Sequence, residues 1–211
     1  PKWEAGAHID IVVAPEFLRQ YSMSGNPADR SKYQIGVLRE DEGRGGSKMM
    51  HRIFSKGRKI FISKPINHFE LDENKPKTFL MGGGIGITPM IAFAHRLQAL
   101  GKNFEVHYST SVMEDAGYLQ DLKSVSWSDK VFFYFTDQGT RADFRSIIGS
   151  YKKGFQIYIC GPENYMSSLN EVAGETGFPE DSRHLEYFLV PDEPDYINYD
   201  FRLKLSRSKK E

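Results

Sequence analysis

Cysteine is nearly missing from this chain: among 211 residues there is only Cys160. One thiol excludes a disulfide framework, a cysteine-ligated zinc and a four-cysteine iron–sulfur cluster built within the chain. Net charge is missing too, with 28 Lys and Arg against 28 Asp and Glu. That balance argues against a general binder of nucleic acid or anionic membrane, although not against a local patch. No apolar run is long enough to span a bilayer and no secretory leader precedes Trp3, so the expected location is cytoplasmic. The six histidines form no H-x-x-x-H or H-E-x-x-H pair, which leaves metal catalysis without support.

What remains is an ordered, core-forming composition, 39% hydrophobic with 19 glycines, long enough for one large domain or two modest ones. The first third has strand character: Ile9–Val13, Tyr33–Arg39 and Lys59–Ser63 are rich in β-branched and aromatic residues and separated by Pro, Gly and Asn. One helix interrupts them, with Ser47 as its expected cap, Met50, Ile53 and Phe54 as its apolar stripe and Gly57 as its end. Short strands with one inserted helix predict a small antiparallel β-barrel.

Asp72-Glu73-Asn74-Lys75-Pro76 reads as a linker. After it strand and helix alternate: strands at Thr78–Met81, Phe104–Ser109, Val131–Thr136, Phe155–Cys160 and Arg183–Phe188, with helices at Pro89–Leu100, Tyr118–Lys123, Phe144–Ile148 and Glu163–Ala173. That rhythm predicts a five-stranded parallel sheet covered on both faces, with ligands at the carboxyl ends of the strands. The expected architecture is therefore β + α/β.

Five segments in fixed order bear on chemistry. In Arg19-Gln20-Tyr21-Ser22, alternation puts Arg19 and Tyr21 on one strand face, where a guanidinium can fork onto a phosphate and a phenol can lie along a flat ring. Ser22 points the other way in a regular strand, and an ordinary barrel strand with a surface arginine is the plain alternative. Gly43-Arg44-Gly45-Gly46-Ser47 opens the inserted helix, whose free N–H groups and Ser47 hydroxyl make an anion seat; a glycine hairpin before a capped helix explains it equally simply. Gly82 to Pro89 runs from a strand into a helix with proline near its start, as a phosphate cradle requires, yet it does not fit G-x-G-x-x-G. Ser109-Thr110-Ser111 ends the next strand with hydroxyls suited to a ribose. Glu114 and Asp115 nearby would repel a 2′-phosphate, which favours NADH over NADPH. Cys160-Gly161-Pro162 ends a further strand, where a lone cysteine is ordinarily a small core residue.

Taken together these segments resemble the phthalate dioxygenase reductase branch of the ferredoxin–NADP reductase superfamily. Arg19-Gln20-Tyr21-Ser22 is similar to its R-x-Y-S flavin signature, and Gly43–Ser47 to its phosphate-binding G-R-G-G-S. Lys64-Pro65-Ile66-Asn67-His68-Phe69 resembles the P-x-N-x-F end of its barrel. Gly83–Pro89 and Cys160–Pro162 resemble its pyridine-nucleotide motifs, and His184-Leu185-Glu186-Tyr187-Phe188 its last strand. The resemblance implies FMN in the barrel, NADH on the following domain, and hydride transfer from nicotinamide C4 to flavin N5. It further implies one-electron delivery to a [2Fe–2S] domain that serves a Rieske-type oxygenase. On that basis Arg19, Gln20, Tyr21, Ser22, Gly45, Gly46, Ser47, Thr88 and Phe188 are the expected FMN residues. Gly83, Gly84, Gly86, Thr110, Cys160, Gly161 and Pro162 are the expected NADH residues, with Ser22, Cys160 and Phe188 nearest the reaction.

The expected domains are residues 1–74 for flavin, 75–190 for NADH, and 191–211 for a linker and the start of a ferredoxin-like domain. Pro1–His8 resembles the second strand region of the barrel, with the opening strand expected to be absent, and Tyr199–Ser208 resembles the first ferredoxin strand, so a fragment of a longer reductase is expected. Expected partners are NADH, a [2Fe–2S] domain and a Rieske-type oxygenase, with neither nucleic acid nor membrane. Two rivals stand beside this reading: an FAD-dependent cytochrome b5 reductase-like or flavohaemoprotein-like enzyme, and a non-catalytic nucleotide-sensing interaction module.

Overall fold

Alternating burial organises the amino-terminal part of the computed structural model, which describes residues 2–15, 17–43 and 45–188. In strand β1 (Ala7–Ala14), Ile9, Ile11 and Val13 are buried while Val12 faces out. It pairs antiparallel with β2 (Phe17–Ser22) along one edge, and with β3 (Phe61–Ile62) and β4 (Ile66–Asn67) along the other. A bulge between Val12 and Ala14 twists the hairpin. On the outer face Leu18 and Phe61 both pair with Val12, which leaves an exposed apolar row.

Two expected strands are shorter than the composition implies. Tyr33–Arg39 forms a single bridge, Ile35 to Met23, because β propensity becomes a strand only where a neighbouring edge offers a full ladder. Lys59–Ser63 contracts to Phe61–Ile62 for the same reason. Helix α1 (Gly46–Ile53) starts on Gly45, whose φ of 90° suits a glycine and not a serine, so Ser47 is inside the helix rather than its cap. It ends at Phe54, before Gly57.

From β5 onward strand and helix alternate: β5 (Lys77–Gly83), α2 (Ile87–Ala99), β6 (Phe104–Thr110), α3 (Leu119–Ser124), β7 (Val131–Phe135), α4 (Phe144–Ile148), β8 (Phe155–Cys160), α5 (Glu163–Glu175) and β9 (Arg183–Glu186). The five strands form a parallel sheet in the order β7-β6-β5-β8-β9. The chain moves outward from β5 to β7 and then returns to the far side of β5. The switch point lies between β5 and β8, at whose carboxyl ends such sheets bind ligands. The last strand stops at Glu186, so Phe188 lies beyond it.

One face of this sheet, through Leu80, Val106 and Tyr108, shares a core with α2 and with Ile9, Ile11 and Met23 of the antiparallel sheet. The other face packs Phe79, Met81, Ile157 and Ile159 against Met166 and Leu169 of α5. The connection between the sheets is latched. The Asp72 amide donates to the Tyr158 hydroxyl, which donates in turn to the Glu70 carbonyl, and the Gln156 amide donates to the Asp72 carbonyl. Because the core is shared, the two sheets meet at a fixed seam rather than across a loose hinge.

Candidate active site

The amino end of α1 and strand β2 make the first half of the site. Arg19 and Tyr21 share the partly buried face of β2, whereas the Gln20 side chain turns outward and donates to Asp10. The Arg19 guanidinium lies over the Phe17 ring at 5.0 Å and donates to the Leu18 carbonyl. It also abuts Gly46, where an added Cβ would come within 2.7 Å of Nε. Among the described residues it forms no ion pair. A guanidinium facing the positive end of a helix, with no carboxylate between them, is an arrangement that an anion stabilises. Ser47 accepts a hydrogen bond from the Glu40 amide at 3.1 Å and keeps its own proton to donate. The residues fit a phosphate.

The second half forms where the sheets meet. Ser22 is buried and donates to Glu186 of β9 at 3.2 Å. Glu186 is the register partner of Cys160, which also pairs with Gly82. Ser22 and Cys160, expected near the reaction, thus converge on a residue that reading the motifs alone passes over. Burial pushes the Glu186 carboxyl up to about 7, opposed by the Ser22 hydrogen bond. Burial first, and the Glu186 charge second, hold the Cys160 thiol well above its usual range, so it stays protonated and apolar. The sequence signal for Glu186 is its parity: on the expected strand Arg183–Phe188 it shares a face with Phe188, and an acid among Leu185, Tyr187 and Phe188 has no packing reason to be there. Phe188 is 43% exposed.

The glycines at the switch point divide by cause. A Cβ on Gly86 would overlap the Cys160 carbonyl, and one on Gly83 would strike Tyr165 and Pro162, while Gly161 lies against the Gly83 backbone. These three are required by the close contact of two chain turns. Gly84 differs, with φ 53° and open space on its Cβ side, and is the position free to receive a ligand. Thr88, buried in the first turn of α2, donates to the Ile85 carbonyl. Thr110 ends β6 and donates to the Val112 carbonyl, and Asp137 fastens the same loop by accepting from the Met113 amide at 3.1 Å.

A cavity of about 910 Å³ lies elsewhere, between the inter-sheet connection and the start of β9. Its lining includes Glu70, Asp72 and His184 but neither lysine nor arginine, which suits a phosphate poorly. Among the described residues no cluster of His, Cys, Asp and Glu could hold a metal, and no helix is long and apolar enough to cross a membrane. The expected linker Pro191–Pro194 and ferredoxin-like strand Tyr199–Ser208 lie outside the described residues.

Residues 60–182, more than half of the chain, match the family model described as dimethylamine monooxygenase subunit DmmA-like, N-terminal domain. Vanillate O-demethylase oxidoreductase of Pseudomonas sp. (strain HR199 / DSM 7063) is 36% identical over 89% of this chain and 60% of its own length. Phthalate dioxygenase reductase of Burkholderia cepacia is 34% identical over 99% of this chain and 65% of its own. A crystal structure of phthalate dioxygenase reductase, described as a modular structure for electron transfer from pyridine nucleotides to [2Fe–2S], superposes with a TM-score of 0.84. It is 32% identical and is matched over 100% of this chain and 66% of that one. This chain therefore spans about three fifths of the length of these curated relatives. Fold and relatives together define a class, whose curated members are named as oxidoreductases and reductase subunits of oxygenase systems. Within it the chain belongs to the phthalate dioxygenase reductase branch of the ferredoxin–NADP reductase superfamily.

Proposed function

We propose that this chain is the flavin- and nicotinamide-binding part of an NADH-dependent oxygenase reductase, using FMN and working in the cytoplasm. Residues 1–74 form its flavin unit and 75–190 its NADH unit, with residues 191–211 leading toward the acceptor. Arg19, the N–H groups of Gly45 and Gly46, and the Ser47 hydroxyl hold the single phosphate of FMN. Tyr21, Thr88 and Phe188 border the ring system, and Gln20 contributes backbone only. Gly83, Gly84, Gly86, Thr110, Gly161 and Pro162 line the nucleotide path. Cys160 keeps the nicotinamide end dry, and Ser22 with Glu186 supplies a hydrogen-bonded proton reservoir at the seam. When bound, flavin and nicotinamide supply the hydride chemistry, and the protein contributes alignment and exclusion of water. The electrons pass singly to a [2Fe–2S] domain that serves a Rieske-type oxygenase.

The guanidinium against the α1 amino end carries this reading, because it asks for one anion at a fixed distance from Ser22 along β2. The test is to load the purified chain with FMN or FAD, record the visible spectrum and measure oxidation of NADH and NADPH with ferricyanide. Retention of FMN and a clear preference for NADH are expected. A chain that stays colourless and oxidises neither nucleotide overturns the proposal, and preferential uptake of FAD moves it to the cytochrome b5 reductase-like rival.

A further inference from the structure

Tyr118 is the only non-glycine residue with a left-handed backbone among the described residues, at φ 64° and ψ 7°. Gly117 stands immediately before it and could hold that conformation without the Cβ clash, yet the strain falls on the tyrosine. Strain of this kind persists only where the surroundings over-determine it. Here they do so across the seam. The Tyr118 hydroxyl shares a 2.7 Å hydrogen bond with Ser24, two residues beyond Ser22 and almost wholly buried. Ser24 is itself fixed, since its amide donates to the Gln34 carbonyl. The Tyr118 ring edge presses on Gly36, where an added Cβ would lie 3.1 Å from it and 2.8 Å from the Thr88 methyl. Burial raises the Tyr118 pKa, so the phenol stays neutral, and either hydroxyl can donate in this bond.

The end of β2 is therefore held from two directions by the parallel-sheet unit: by Glu186 through Ser22, and by Tyr118 through Ser24. Tyr118 also closes the loop that begins at Thr110, so the hydrogen bond to Ser24 ties that loop to the segment just after β2. We propose that Tyr118 is a positioning residue for hydride transfer, its phenol setting the distance between the β2 end that carries Ser22 and the nucleotide loops. The inference rests on the functional reading above, but it concerns a residue that contacts neither cofactor phosphate seat.

The experiment compares the FMN-loaded chain with its Tyr118→Phe and Ser24→Ala variants by stopped-flow flavin reduction under NADH. Both variants should lose about tenfold or more in the reduction rate at saturating NADH, as a displacement of an ångström or less can produce. FMN retention and NADH dissociation constant should stay near wild type, with the melting temperature lower by a few degrees, the cost of one buried hydrogen bond. The double variant should be no slower than Tyr118→Phe alone, because that substitution already removes the bond to Ser24. Reduction of Tyr118→Phe at the wild-type rate, or a loss confined to NADH affinity, overturns this inference alone. A wild-type chain that takes up flavin but is not reduced by NADH overturns the functional reading and the inference with it.

Discussion

Glu186 is the residue whose environment departs furthest from water in a way that solution experiments can read. Its carboxyl moves from 4.5 to about 7 on folding, so the folded chain holds the proton over a range where the unfolded chain has released it. Stability therefore falls as pH rises between those two values and is level above them, by at most roughly 3 kcal/mol for a shift of this size. Glu186→Gln should remove that slope: in urea denaturation the variant should match wild type at about pH 4 and exceed it at about pH 8. Equal midpoints at both pH values would show that the carboxyl is solvated. Arg19 has the opposite character, spending little on stability and much on ligand. Arg19→Ala should bind FMN about 10- to 100-fold more weakly in equilibrium dialysis, the cost of losing charge-assisted hydrogen bonds, with its melting temperature nearly unchanged.

At the scale of elements, two glycines that look alike in sequence have separate reasons to be there. Gly46 occupies the first turn of α1 in a conformation open to alanine, and its neighbour is the far end of a flexible arginine. Gly46→Ala should fold at least as stably as wild type, gaining up to about 1 kcal/mol of helix propensity, while displacing the guanidinium and weakening FMN retention. Gly86 faces backbone that has no room to give. Gly86→Ala should cost about 3 kcal/mol in denaturant titration, with FMN bound or absent. The elements themselves were legible to the degree that burial patterned them. Strands β5 and β8, covered on both faces, read as apolar runs between glycines, and α4 and β8 have the expected limits. Tyr33–Arg39 misled because its composition states a preference, whereas pairing depends on a neighbour that sequence does not reveal. The Ser47 cap misled because Gly45 before it was better suited to the turn.

For the molecule as a whole, the question is what keeps two sheets in one relative position. The bidentate Arg96–Glu73 pair joins α2 to the connecting segment but is substantially exposed, so it contributes no more than about 1 kcal/mol. The Tyr158 hydroxyl is buried and serves two backbone groups of that segment. Tyr158→Phe should cost about 1–3 kcal/mol, because the Asp72 amide loses its acceptor. Flavin reduction by NADH should slow in the same variant if the latch helps to hold the seam, and a variant with unchanged stability would assign that role to the shared core instead.

By itself the sequence determined the class of each half, the order of the motifs and the parallel sheet, though not its strand order, since periodicity and glycine punctuation are local properties. It also named the arginine, the serine and the cysteine. Only the tertiary structure decided that Ser22 and Cys160 meet on Glu186, that the guanidinium lies against α1, and that Tyr118 reaches Ser24. Each of those contacts joins residues far apart in the chain, and their distances are set by how two cores merge, a quantity that no window of sequence contains.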